Sequence, residues 1–431
     1  MIKVADMVMG SGKSSAAITY MNEHPEKRFL YVTPFLDETE RIAKACKTAH
    51  FITPSDRIPE YSFAKGKHLR SLVNRHANIS MTHALFTRID DETAAAITDQ
   101  QYTIIIDEVL DVFGETGTSA EDIKMLLETG YLETQGGGDE CEYFRLSEKA
   151  RGYSGAFNKI FSDIKCGQIV QTNGWDGGKR VKYGFWEINR RLFTLSEEIF
   201  ILTYMFDGTQ MRGFLDTNNI PYTYIGVRKG DDGKYRFAAT GVLPDYIANL
   251  RNMIHVCDKA SINKIGDEDG ALSATWVRTG GSDGRLAALR RHINTYFRRH
   301  VPDEIGADKT LWTTYLNGRD SVKGKSASAK NFLAFNYKAT NSYGDRAALA
   351  FCVNIFINPN LYNYLKRNGV EVDNDRYALG VMVQWIWRSR IRNGQEIWIY
   401  IPSRRMRRLF LGWIDDLEAA YRKEQEVKTI E

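Results

Sequence analysis

The chain has 431 residues, 43% of them hydrophobic and 26% charged, with a formal net charge of +4. That is ordinary globular usage: it excludes wholesale disorder, and at roughly 100–200 residues per domain it suits two domains. A net charge this small does not itself point to a polyanionic partner, so any such argument must come from local clusters.

The first residues, MIKVADMVMGSGKSS, lack the apolar core and cleavage site of a signal peptide. No later run reaches the roughly 20 apolar residues of a membrane helix, so a cytoplasmic, membrane-free protein is expected. Residues 2–8 read as a buried strand and 14–21 as a helix, which puts Gly10-Ser11-Gly12-Lys13-Ser14 between strand and helix. Two glycines there let the backbone fold tightly, so that its N–H groups and the helix N-terminus face phosphate oxygens. Lys13 then reaches the β- and γ-phosphates of ATP, and Ser14, followed by Ser15, sets a hydroxyl on a Mg²⁺ ion. Met7 stands where the longer phosphate-loop pattern has another glycine, so the match is to the shorter form.

Residues 28–33 (RFLYVT) predict a second strand, followed by Pro34 and an amphipathic helix over 37–45; residues 79–82 predict a third strand. The run YTIIIDEVL then ends an apolar strand in two carboxylates, Asp107 and Glu108. A strand end beside the phosphate loop is where Asp107 holds Mg²⁺ and Glu108 takes a proton from the attacking water. Residues 130–185 are rich in glycine and read as a surface insertion. An apolar strand over 200–205 follows, and the composition changes after Asp207-Gly208. The expected division is therefore 1–206 and 207–431. The second half adds strands near 221–227, 235–238, 310–315, 331–337, 348–354 and 398–401, with a helix over 284–300. Alternating strands and helices imply α/β domains with parallel sheets covered on both faces. The five cysteines are scattered without a CxxC pair and read as reduced structural thiols.

The motif order resembles a superfamily 2 helicase, and more narrowly the compact replicative helicases of tailed phages and the motor of herpesvirus origin-binding helicases. MGSGKSS (9–15) is similar to motif I of that family and IIIDEV (104–109) to motif II. YVTPF (31–35) and ISMTHALF (79–86) resemble its strand-holding segments, which implies nucleic-acid contacts for Thr33, Pro34, Thr82 and His83; from residue chemistry alone both threonines read as caps of the following helices. LTYMF (202–206) takes the place of motif III, with Thr203 alone fitting well. KATNSYGDRAAL (338–349) resembles motif V, implying that Thr340 and Asn341 face nucleic acid and that Gly344 and Asp345 face nucleotide. VQWIWRSRIRNG (383–394) resembles motif VI, implying Gln384 and an arginine finger, Arg388. Trp387 replaces the family's glycine and Ile391 its second arginine, leaving Arg390 or Arg392 as substitutes.

The resemblance implies two tandem RecA-like domains, ATP with Mg²⁺, and a monomeric motor in the host cytoplasm. Its partners would be single-stranded or branched DNA, or RNA, together with phage replication proteins, and its polarity 3′ to 5′. Two basic clusters, Arg285/290/291/298/299 and Arg404/405/407/408, carry interleaved aromatics (Tyr296, Phe297, Phe410, Trp413). They read either as strand-binding platforms or as amphipathic helices with core aromatics. Two other phosphate-loop classes compete with the helicase reading. Nucleoside kinases are much shorter and lack an arginine-bearing second domain. Terminase-type packaging ATPases need inward carboxylates on strands, whereas Asp373, Asp375, Asp415 and Asp416 look like loop and helix-surface residues.

Overall fold

The computed structural model of the protein describes residues 1–430 except 117, 139–140, 177–178 and 338–341. In chain order the first strands are β1 (Ile2–Asp6), β2 (Phe29–Thr33), β3 (Phe51–Ile52), β4 (Asn78–Thr82) and β5 (Thr103–Asp107). Next come β6 (Phe113–Glu115), β7 (Leu132–Gly138), β8 (Cys141–Leu146), β9 (Gly167–Asp176) and β10 (Lys179–Ile188). Then follow β11 (Ile199–Thr203), β12 (Tyr222–Lys229), β13 (Tyr235–Ala238), β14 (Ile254–Val256), β15 (Thr310–Thr313), β16 (Ala348–Phe351) and β17 (Ile397–Tyr400). The fold is mixed α/β, built on largely parallel sheets flanked by helices.

Two compact units result. The first comprises residues 1–7, 12–241 and 358–372, and the second residues 8–11, 242–357 and 373–431. The composition change at Asp207-Gly208 is thus not where the first unit ends, because β12 and β13 extend its sheet beyond that point.

The first unit holds an eight-stranded sheet in the order β13-β12-β1-β11-β5-β2-β4-β3, parallel throughout except for the antiparallel β12–β13 pair. Its central strands FLYVT, TIIID and IFILT are continuous apolar runs because helices cover both faces. The helix Lys13–Glu23 lays Ala17 and Met21 on Phe29, Phe200 and Leu202. Parallel pairing brings the ends of β1, β11, β5, β2 and β4 to one edge, so residues such as Asp6, Asp107 and Thr82 emerge together.

The glycine-rich insertion over 130–185 is ordered as regular secondary structure. It is a five-stranded antiparallel sheet, β6-β10-β9-β8-β7, and it begins already at Phe113. Its own core packs Ile123, Leu126, Leu132, Phe144, Ile160, Phe161 and Ile169. The alternation Tyr183, Phe185 against Lys182, Gly184 in β10 is the period-2 signal that the glycines obscured. The helix Pro359–Arg367 also belongs to the first unit and packs on this sheet: the Tyr364 hydroxyl donates to Glu187 Oε2 at 3.0 Å. Glu187 is only 2% exposed, and burial pushes its carboxyl above the ordinary range.

The second unit holds a four-stranded parallel sheet, β14-β17-β16-β15. The expected strand over 331–337 does not form. Residues Ala329–Asn331 make a turn of 3₁₀ helix, and Phe332 makes a single bridge to Trp312. The aromatics that suggested a strand are packing groups, Phe332 edge-on to Trp312 and Phe335 edge-on to Tyr315. Among the described residues no helix is long and apolar enough to cross a membrane.

Candidate functional site

β1 ends at Asp6 and the chain turns through Gly10 (φ 77°) and Gly12 (φ 84°) into the helix Lys13–Glu23. Both angles lie in the left-handed region open to glycine. A Cβ added at Gly12 would lie 2.3 Å from the Tyr235 ring, so that position also has no room for a side chain. Among the described residues no side chain caps the start of this helix. Ser11 is buried, and its hydroxyl has no hydrogen-bond partner among the described residues. Ser15 is exposed.

The Lys13 ammonium donates to Met7 O at 2.5 Å. Burial pushes its pKa down to about 8, against the pull of Asp107, Asp6 and Glu108 in the other direction. Ser14 Oγ donates to Asp107 Oδ2 at 3.2 Å, so the two groups expected to share a cation do meet. Burial holds the Asp107 carboxyl above its usual range. The adjacent Glu108 is in the left-handed region (φ 64°), a conformation that costs a non-glycine residue roughly 1–3 kcal/mol and turns its side chain off the strand line. Its N–H donates to Leu202 O at 2.9 Å, which fixes the turn to β11.

Several contacts here escaped the sequence reading. Tyr31 in β2 donates its hydroxyl to Asp107 Oδ2 at 2.5 Å, and burial and Asp107 together push its own pKa well above the usual value. His83 is buried and its Nε2–H donates to Asp107 O at 2.9 Å, so this ring sits under the carboxylate pair. Asp6 Oδ2 accepts from the Phe206 N–H at 3.0 Å, tying the start of the phosphate loop to the segment that stands in for motif III. Met205 there is left-handed (φ 57°) and Thr203 is buried at the end of β11. Thr82 caps the short helix His83–Phe86, its Oγ1 accepting from Leu85 N at 3.4 Å. Thr33 caps nothing; it is fully buried at the end of β2, with half-buried Pro34 after it.

In the second unit Gln384 lies in the helix Asn374–Ile386, and Arg388 follows that helix, 8% exposed. Asp345 pairs with Lys309 at 2.7 Å, which holds its carboxyl below the ordinary range. Arg390 N donates to Arg346 O at 3.0 Å, and Asn393 Nδ2 to Gly344 O at 3.0 Å, so the segments likened to motifs V and VI do come together. The Arg390 guanidinium bonds Glu396 O at 2.5 Å and lies over Trp398, whereas Arg392 is exposed. Thr340 and Asn341 lie outside the described residues. Of the aromatics in the basic clusters, Tyr296 is 1% and Phe410 0% exposed and Trp413 is buried, while Phe297 is half-buried against the same core.

The C-terminal part, residues 248–414, matches the family model of the YonV C-terminal Rossmann-like domain. Along nearly its whole length the chain is 32% identical to the SPbeta prophage-derived protein YonV of Bacillus subtilis (strain 168), over 428 residues that cover 96% of this chain and 99% of the relative. The chain belongs to the YonV family. Among solved structures, S. tokodaii Xpd4 aligns with 96% of this chain and 94% of its own at 10% identity and a TM-score of 0.47. An XPD helicase aligns over 93% and 92% at 12% identity and a TM-score of 0.45.

Proposed function

We propose that the protein is an ATP-hydrolysing motor of the superfamily 2 helicase type that moves along or unwinds DNA in phage-type replication or recombination. The observation that carries this reading is the meeting of Lys13, Ser14, Asp107 and Glu108 at one edge of the first sheet, with Ser14 and Asp107 3.2 Å apart. The residues present fit a nucleotide: a left-handed Gly12 with no space for a Cβ, an uncapped helix start, an unpartnered buried Ser11 hydroxyl and a buried ammonium. Ser14 and Asp107 would hold Mg²⁺, which when bound neutralises phosphate charge. Lys13 binds the outer phosphates, and phosphate charge offsets the burial that depresses its pKa. Glu108 orients the attacking water and accepts its proton. The likeness to motif VI gives Gln384 and Arg388 parts in hydrolysis, Arg388 by stabilising charge on the departing phosphoryl group. Gly344 and Asp345 border the nucleotide, while Thr33, Pro34, Thr82, His83, Thr340 and Asn341 supply nucleic-acid contacts. A prophage-derived relative suits action in the host cytoplasm, and the resembling family favours 3′ to 5′ movement.

The test is ATP turnover by the full chain with and without single-stranded DNA or RNA, with Lys13→Ala as the blank. Stimulation by one polymer is expected, and it identifies the substrate. Turnover indifferent to both would sink the motor and favour a small-molecule kinase.

Tyr31 gives a finer expectation. Its hydroxyl fixes the rotamer of Asp107, so Tyr31→Phe should raise the Mg²⁺ concentration for half-maximal ATP binding by about tenfold, the worth of one charge-assisted hydrogen bond. Titrating Mg²⁺ against a fluorescent ATP analogue reads this directly; an unchanged midpoint would make Tyr31 a packing residue.

A further inference from the structure

The helix Arg285–Arg299, RLAALRRHINTYFRR, contains five arginines and no acidic residue. One face is core: Leu286, Leu289, Ile293 and Tyr296 pack with Trp312, Ala350 and Tyr400 of the second unit. Arg291 and Arg298 lie opposite that face and Arg290 and Arg299 on its two flanks, all four exposed. At 1.5 Å per residue the two arginine pairs stand about 12 Å apart along the axis. Among the described residues none of the four makes an ion pair or hydrogen bond.

Other exposed arginines divide: Arg57, Arg88, Arg190 and Arg278 also have no ion pair among the described residues, while several others do. Arg145 pairs with Glu133, Arg236 with Glu23 and Asp232, Arg251 with Asp415, and Arg422 with Glu418. A neighbouring segment adds charge. Ser326 N donates to Asn294 Oδ1 at 3.0 Å, and Gly324 lies so close that a Cβ would be 2.5 Å from Asn294 Nδ2. Asn294 falls between the two arginine pairs on the helix surface, so this contact sets Lys325, exposed and without an acidic partner among the described residues, beside them.

Within each pair the neighbouring guanidinium groups repel one another inside the roughly 8 Å screening length, a cost that a polyanion removes. Of polyanions, a nucleic-acid backbone matches best. Arginine forks suit phosphate oxygens, and Asn294 and Thr295 between the pairs are polar. The helix exposes no large apolar side chain to enter a lipid surface or to anchor a protein interface.

We propose that the arginine face of this helix, with Lys325, is a second nucleic-acid contact. It binds the phosphodiester backbone without regard to sequence, apart from every segment that the helicase resemblance assigns to the strand. The proposal shares only its partner class with the motor reading and needs no nucleotide.

The experiment measures affinity of the full chain, without ATP, for a labelled duplex and a labelled single strand over a series of salt concentrations. Against wild type are set a variant with Arg290→Gln, Arg291→Gln, Arg298→Gln and Arg299→Gln together, and one with the same four changed to lysine. The glutamine variant should bind at least about tenfold more weakly near 0.1 M salt, and its slope of log affinity on log salt should flatten by about 3.6 for duplex, since each of the four phosphate contacts contributes about 0.9. The lysine variant should keep the wild-type slope. Should the fourfold variant fail to fold, either glutamine pair alone should flatten the slope by about 2. Wild-type affinity and slope in the glutamine variants on both polymers would overturn the proposal, as would loss of binding to anionic vesicles with nucleic-acid binding intact. Because ATP is absent, the motor reading can fail in turnover while this surface still binds, and the reverse.

Discussion

Replacing Glu108 with glutamine is expected to cut ATP turnover by about 10²–10⁴ while leaving Mg²⁺-dependent ATP binding nearly unchanged. The amide keeps the size of the side chain and leaves intact the Glu108 N–H bond to Leu202 O that fixes this left-handed turn. It removes the negative charge and with it the capacity to accept a proton. Asp107, Ser14 and Lys13, which the reading gives to binding, are untouched. Single-turnover hydrolysis measured beside equilibrium ATP binding separates the two. A variant that loses binding in step with turnover would mean that Glu108 supports the fold of the site rather than its chemistry, and an unchanged rate would remove it from the mechanism.

The second large effect is expected at Arg388. An arginine finger supplied to a departing phosphoryl group contributes about 10³–10⁵ in rate, so Arg388→Ala should lower turnover by at least about 10³ with little change in ATP affinity. Since Arg388 is 8% exposed, its loss also risks the packing around the end of the helix Asn374–Ile386. Arg388→Lys answers this by keeping the bulk and the charge but not the two-pronged geometry, and it should remain slow while melting like wild type. If lysine restores turnover, a point charge is enough. If both variants hydrolyse ATP normally, the likeness of residues 383–394 to motif VI carries no function. Arg390→Ala offers a contrast, because that guanidinium is already held by Glu396 O and stacked on Trp398.

How much of this was legible in the sequence depended on where each residue's partners lie. The phosphate loop and the DE strand were readable because their chemistry is local: Gly10 and Gly12 set a backbone path, and an apolar run ends in two carboxylates. Tyr31 was not readable, because a tyrosine inside FLYVT looks like any core aromatic until parallel pairing with β5 brings its hydroxyl to Asp107. His83 was singled out, but for nucleic acid; its bond to Asp107 O depends on where the β4 end falls against the β5 end. The sheet formed by β6–β10 was missed because glycine dilutes the alternation that marks a half-buried strand. The aromatics of residues 331–337 misled for the opposite reason, mimicking that alternation while serving as wedges against Trp312 and Tyr315.

The helix Pro359–Arg367 carries a consequence for biosynthesis. The chain leaves the second unit after Ile357, gives residues 358–372 to the first, and returns at Asp373. On the ribosome, residues 1–241 therefore emerge without the helix that covers Glu187 and supplies the Tyr364 hydroxyl. The first unit cannot finish folding until more than a hundred further residues have been translated. A nascent chain halted before residue 358 would expose a buried carboxylate and the Phe113–Phe185 cluster that Tyr364 closes, which makes it a natural client for holding chaperones.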